Sequence, residues 1–102
     1  DITKPGMPCP DAPHGDGFIL DHLGGGFVLL ALGCEAQDVS AHGVGAQALS
    51  IMAPTDALKA RYLGNTAQAV YLIRPDQHVV ARWNNFAADD VAAALATAIG
   101  KA

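Results

Sequence analysis

The densest gathering of reactive side chains is Arg74-Pro75-Asp76-Gln77-His78. A guanidinium, a carboxylate and an imidazole so close together could bind an anion or move a proton. The same residues also spell a tight bend. Pro75 presets φ for the second position of a type I turn, and Asp76 suits the third. The fourth position of such a hairpin favours left-handed backbone, where glycine is preferred and Gln77 costs roughly 1 kcal/mol. We therefore expect Arg74, Pro75, Asp76 and Gln77 to form a structural turn between two strands, with no catalytic residue in it.

The thiols are Cys9 and Cys34. No CxxC occurs, and no Cys/His set has zinc-site spacing. The two could pair with each other. Nothing suggests export, so both are expected to be reduced in a cytoplasmic protein. No Lys or Arg stands near Cys34 in sequence to lower its pKa, which favours a packed, inert thiol. His14, His22, His42 and His78 are scattered, with no two at i, i+4, and no metal is expected. Asp89 and Asp90 fit a helix start, where negative charge is favourable, better than an acid/base pair. The run Gly43 to Ala48, GVGAQA, matches G-x-G-x-x-A in form. A dinucleotide site needs a strand before that motif and a helix after it. The preceding QDVSAH is a poor strand, so a glycine-rich loop is expected.

These residues need elements to hold them. The chain of 102 residues is 51% hydrophobic, enough for one small domain with its own core. Its net charge is -4 with six Lys plus Arg, and no basic stripe exists for a nucleic acid. No apolar run is long enough to cross a bilayer. The opening DITKPGMPCPD lacks an initiator Met and reads like a linker, so a fragment of a longer protein is expected. Residues 1–17 hold most of the prolines and should lie as an extended arm across a domain formed by 18–102. FIL at 18–20 suggests a short strand and DHLGGG a broken helical turn. Phe27 to Leu32 and Val70 to Ile73 are apolar without alternation, as in strands covered on both faces. Residues 33–45 read as a loop or poor helix, and Gln47 to Met52 as a second core strand. A short helix capped by Thr55 or Asp56 should stop at Gly64. His78 to Trp83 alternates, placing Val79, Ala81 and Trp83 on one face and His78, Val80 and Arg82 on the other. Val91, Leu95 and Ala98/Ile99 recur at helical spacing, and Gly100-Lys101 ends that helix. The order predicts an α/β fold with a mixed sheet, a C-terminal β-hairpin and a final helix.

Four stretches together, PGMPCPDAP, DGFILDHLGGGFVLLALG, AVYLIRPDQHVVARW and the closing alanine-rich helix, resemble one family. They are similar to the C-terminal domain of FAD-dependent aromatic-ring hydroxylases, of the phenol-hydroxylase-like and 3-(3-hydroxyphenyl)propionate-hydroxylase-like kind. The resemblance covers nearly the whole chain, and Gln77 departs from it where glycine is usual. It implies a thioredoxin-like fold without a catalytic residue, carried by an oxidoreductase. That parent flavoprotein monooxygenase would use FAD and NAD(P)H, although this fragment would bind no cofactor itself. The implied partners are the FAD and substrate domains of the parent chain, and a homodimer. Arg82 and Trp83 are the candidate interface residues, because Trp and Arg are enriched at such contacts; Trp83 is otherwise expected to pack under the final helix. The alternative is a redox-active thioredoxin or peroxiredoxin relative using Cys34. Against it, Cys34 follows its strand without a second cysteine. Ala69 stands where thioredoxins carry a cis-proline, and the loop after Cys34 lacks the Pro and Thr that surround a peroxiredoxin's reactive thiol.

Overall fold

A computed structural model describes residues 3–100. Lys101, expected at the end of the last helix, lies outside that range. The chain forms β1 (Pro13–His14), β2 (Gly17–Phe18), a 3₁₀ turn (Ile19–His22), β3 (Phe27–Leu32), β4 (Val39–Ala41) and β5 (Val44–Ile51). After these come α1 (Asp56–Leu58), a π turn (Lys59–Leu63), β6 (Ala69–Ile73), β7 (Val79–Trp83) and α2 (Ala88–Ala98). The main sheet runs β4-β5-β3-β6-β7. β3 is parallel to β5 and antiparallel to β6, and the other pairings are antiparallel. This is the α/β fold with a mixed sheet that the element order implies.

The uninterrupted apolar runs are central for the reason the sequence gives. Every residue of β6 is buried, as is β3 from Val28 to Leu32. Val28, Leu30, Leu32, Tyr71 and Ile73 point to one face, under Cys9, Ala12, Ile19, Leu58 and Tyr62. Leu29, Ala31, Val70 and Leu72 point to the other, under Val91 and Leu95 of α2. Each such Leu or Ile contributes roughly 1.5–3 kcal/mol by leaving water. Asp89 and Asp90 occupy the first turn of α2.

The helix from Asp56 is capped by Thr55, whose Oγ1 accepts from the Leu58 amide at 3.2 Å. It ends as a π turn, with the Gly64 amide donating to the Lys59 carbonyl at 2.9 Å. Gly64 has φ of 59°, the left-handed backbone that makes it a stop.

Four expectations need correction. Residues 33–45 are neither simple loop nor helix: they hold β4 and a two-residue hairpin into β5. His42 and Gly43 have φ of 52° and 79°, the pair of positive values a type I′ turn requires. The second core strand therefore starts at Val44 instead of Gln47 and stops at Ile51, one residue short of Met52. FIL is not a strand. Gly17 and Phe18 pair with the Pro13–His14 stretch, and Ile19 begins a 3₁₀ turn. Asp21 closes that turn by accepting from the Phe18 amide at 3.0 Å.

The arm, third, does more than lie across the domain. Residues 6–9 pair with the outer edge of the final hairpin. Gly6 N donates to Val79 O at 2.8 Å, Val79 N to Met7 O at 2.9 Å and Cys9 N to Gln77 O at 2.8 Å. An edge position tolerates Pro8, which has no N–H to give. Fourth, β7 does not alternate as expected. Ile73 pairs with Val79 but Leu72 with Ala81, so Val80 is the extra residue of a β-bulge. Val79 and Arg82 face the arm, while Val80 and Trp83 pack toward α2.

Candidate functional site

The turn at 74–77 takes the backbone its sequence implies. Gln77 N donates to Arg74 O at 2.9 Å, and Gln77 has φ of 67°. The charged groups satisfy one another. Arg74 grips Asp76 with two bonds, Nε to Oδ1 at 3.1 Å and a terminal nitrogen to Oδ2 at 2.7 Å. Asp76 Oδ1 also accepts from the His78 amide at 3.1 Å. The Arg74 guanidinium, chief among these contacts, holds the Asp76 carboxyl below its usual range. The group is exposed and internally paired.

A second cluster lies beneath the arm. Tyr62 and Tyr71 are fully buried and meet edge to face, with ring centroids 5.3 Å apart. The Tyr62 hydroxyl donates to Pro10 O at 2.6 Å, and the Cys9 thiol lies within hydrogen-bond reach of it. The Tyr71 hydroxyl donates to the Tyr62 carbonyl and accepts from Arg82 Nε at 2.9 Å. Thr3 closes the cluster, its amide and hydroxyl both donating to Arg61 O. Burial pushes the Cys9 thiol up to about 11 and raises Tyr62 further. Burial also raises Tyr71, against the opposing Arg82 bond. Ionisation is thus disfavoured throughout, the opposite of what a nucleophile or base needs near neutral pH.

Cys9 and Cys34 are both free thiols. Cys9 belongs to the arm side of the sheet and Cys34 to the α2 side, so the sheet separates them. Cys34 follows β3 at a bend. Burial raises its pKa, and no helix starts there to oppose this. GVGAQA lies in the β4–β5 hairpin and β5 itself, where strand pairing occupies the backbone and no helix follows. His14 and His22 approach with ring centroids 5.1 Å apart, while His42 sits in the β4–β5 turn and His78 is bridged to Pro8. Among the described residues no three His, Cys, Asp or Glu side chains gather as a metal site would require.

Two shallow grooves open on the β4–β5 side. One of about 310 Å³ is lined by Asp38, Ser40, Gly45 and Gln47. The other, about 180 Å³, is lined by His22, Val28, Gln47 and Leu49. Asp38 Oδ1 accepts from the Ala48 amide at 2.7 Å. No helix among the described residues is long and apolar enough to cross a membrane.

Of the candidate interface pair, Trp83 is half-buried against the α2 side. Arg82 is held by Tyr71, Thr66 and Asn84 on the arm side. Sequence reading missed the Tyr62–Tyr71–Arg82 network because of the bulge. Continuing the Ile73–Val79 pairing without a bulge, with Val80 opposite Leu72, would set Ala81 opposite Tyr71, and Arg82 would turn toward α2. No protein-family model matches this chain, and neither curated proteins nor solved structures yield a match.

Proposed function

We propose that this chain is a non-catalytic, thioredoxin-like accessory domain of an FAD- and NAD(P)H-dependent aromatic hydroxylase. Its role would be to pack on the catalytic body of that flavoprotein and on a second subunit. The observation that carries the reading is where the two most distinctive stretches meet. PGMPCPDAP and YLIRPDQHVVARW are far apart in sequence, yet three backbone hydrogen bonds zip residues 6–9 to residues 77–79. The Tyr62 hydroxyl ties down Pro10 as well. The residues behind the resemblance thus build one structural unit. A mixed sheet with an antiparallel terminal hairpin and a closing helix supports the thioredoxin-like part of the proposal. The non-helical path from Gly33 to Asp38 and β4 departs from a helical crossover, and leaves Cys34 without a helix N-terminus.

The test is the coding sequence upstream of Asp1. Several hundred residues containing a strand followed by G-x-G-x-x-G are expected; a start codon immediately before this segment would overturn the proposal. The purified chain should be colourless and inert toward NADPH, insulin disulfides and peroxide. Turnover of a disulfide or peroxide that Cys34→Ser abolishes would favour a redox protein instead.

A further inference from the structure

Residues 3–13 are held to the body of the domain mainly through backbone groups. Thr3 N donates to Arg61 O at 2.9 Å, Gly6 N to Val79 O at 2.8 Å and Cys9 N to Gln77 O at 2.8 Å, while Val79 N donates to Met7 O at 2.9 Å. Further along, Ile19 N donates to Ala12 O at 2.9 Å, the Tyr62 hydroxyl to Pro10 O at 2.6 Å and Thr55 Oγ1 to Pro13 O at 3.2 Å. Small side chains complete the fit, because Cys9 and Ala12 are buried in the core beneath. The slot therefore accepts an extended, proline-bearing segment with small residues at two positions. Each copy of this chain carries one.

A short turn ties that segment to the body it covers. β1 and β2 pair over two residues each, Pro13 with Phe18 and His14 with Gly17, and the exposed Gly15-Asp16 joins them. Gly15 has φ of 58°, and straightening the turn need disturb only the His14–Gly17 pair. Pro5, Pro8, Pro10 and Pro13 restrict φ along the segment, so once released it stays close to the extended shape in which it docks. Its departure strips the Gln77–Val79 edge of β7 and the Tyr62 hydroxyl of these partners. An uncovered edge pairs readily with another strand.

We propose that this slot is an interface between two copies of the chain, each laying residues 3–13 along β7 of the other. Exchange keeps every bond named above. It makes a closed, two-fold symmetric dimer, because segment and slot are the same in both copies. The turn at Gly15-Asp16 sets the balance. In a single chain the tethered segment competes at an effective concentration of about 1 mM, as for a short flexible linker, and this falls to near zero when the connection cannot span. The dimer is therefore favoured as total concentration approaches that value, or when the turn is shortened. The inference rests on the geometry of the arm and is independent of the flavoprotein reading.

Pro8 and His78 make the test specific. They face each other as an antiparallel bridge, and the Cys9–Gln77 and Val79–Met7 bonds on either side mark a non-hydrogen-bonded pair. Such pairs have Cα atoms about 4.5 Å apart, within disulfide range. Pro8→Cys and His78→Cys chains, each also carrying Cys9→Ala and Cys34→Ala, are mixed at about 1 mM, unfolded in urea, refolded together and oxidised. A disulfide joining the two different chains is expected in excess over the products of either chain alone, because only exchange places residue 8 of one copy on residue 78 of the other. A chain lacking Gly15 and Asp16 should be dimeric by light scattering at concentrations where the parent is monomeric, with the circular dichroism of the parent. The inference is overturned if the mixed chains give no more cross-linked product than either chain alone, or if the deletion variant is folded and monomeric.

Discussion

At the scale of single residues, Gln77 shows strain and contact acting in opposite directions. Its φ of 67° disfavours any side chain, while its amide nitrogen reaches Leu20 O at 3.3 Å. Relief of the backbone is worth about 1 kcal/mol, and so long a hydrogen bond about 0.5 kcal/mol. Gln77→Gly should therefore raise stability by about 0.5 kcal/mol. Gln77→Ala keeps the strain and drops the bond, so it should lower stability by about 0.5 kcal/mol. Urea midpoints of the two variants measure this. A Gln77→Gly midpoint below that of the parent chain would show that the Leu20 contact outweighs the backbone. Arg74 and Asp76 illustrate a related point: the side chains that look most like chemistry neutralise one another at the surface.

At the scale of elements, the arm behaves as an edge strand and a lid together. It contributes small core residues, Cys9 and Ala12, but it covers two buried tyrosines and satisfies the Tyr62 hydroxyl through Pro10. Removing residues 1–12 would expose Tyr62 and Tyr71 and leave the outer edge of β7 at Gln77–Val79 unpaired. An unsatisfied buried hydroxyl alone costs about 1–3 kcal/mol, and the lost apolar burial adds to it. The truncated chain should lose cooperative unfolding or aggregate, whereas the intact chain should melt in one transition followed by circular dichroism. A truncated chain that unfolds as sharply and at the same temperature would mean that residues 13–102 fold without the arm. The helix at 88–98 is simpler. Its burial of Val91 and Leu95 at helical spacing against Leu29, Val70 and Leu72 is the pattern expected of an amphipathic cover.

At the scale of the whole molecule, the groups under the arm set how stability responds to alkali. Cys9 titrates near 9.0 when unfolded and is pushed up to about 11 when folded; burial raises Tyr62 and Tyr71 in the same direction. Above pH 9 the unfolded chain has lost the Cys9 proton that the folded chain still holds. Stability should therefore fall between about pH 9 and 11, with a slope of about 1.4 kcal/mol per pH unit while one proton is involved. Below pH 9 these groups contribute no slope. Denaturant midpoints at several alkaline pH values will show the decline, and Cys9→Ala should reduce its first part. An unchanged midpoint up to pH 11 would mean that the arm opens freely enough to hydrate the thiol.

The amino-acid order alone determined the parts that depend on neighbours along the chain. Unbroken apolar runs at 27–32 and 70–73 require cover on both faces, Thr55 and Gly64 bound a helix, and Pro75-Asp76 bends a hairpin. Each follows from local sterics or from the period of burial. Tertiary structure decided what depends on pairing between distant segments. Nothing local to QDVSAH announces β4, because a three-residue edge strand exists only where β5 offers it hydrogen-bonding groups. The arm reads as an isolated proline-rich tether until β7 supplies an edge. The bulge at Val80 reverses the direction of Arg82, because one extra residue in a strand moves everything beyond it to the opposite face. The candidate site arises from that single reversal, which depends on how two strands register and is invisible in either strand by itself.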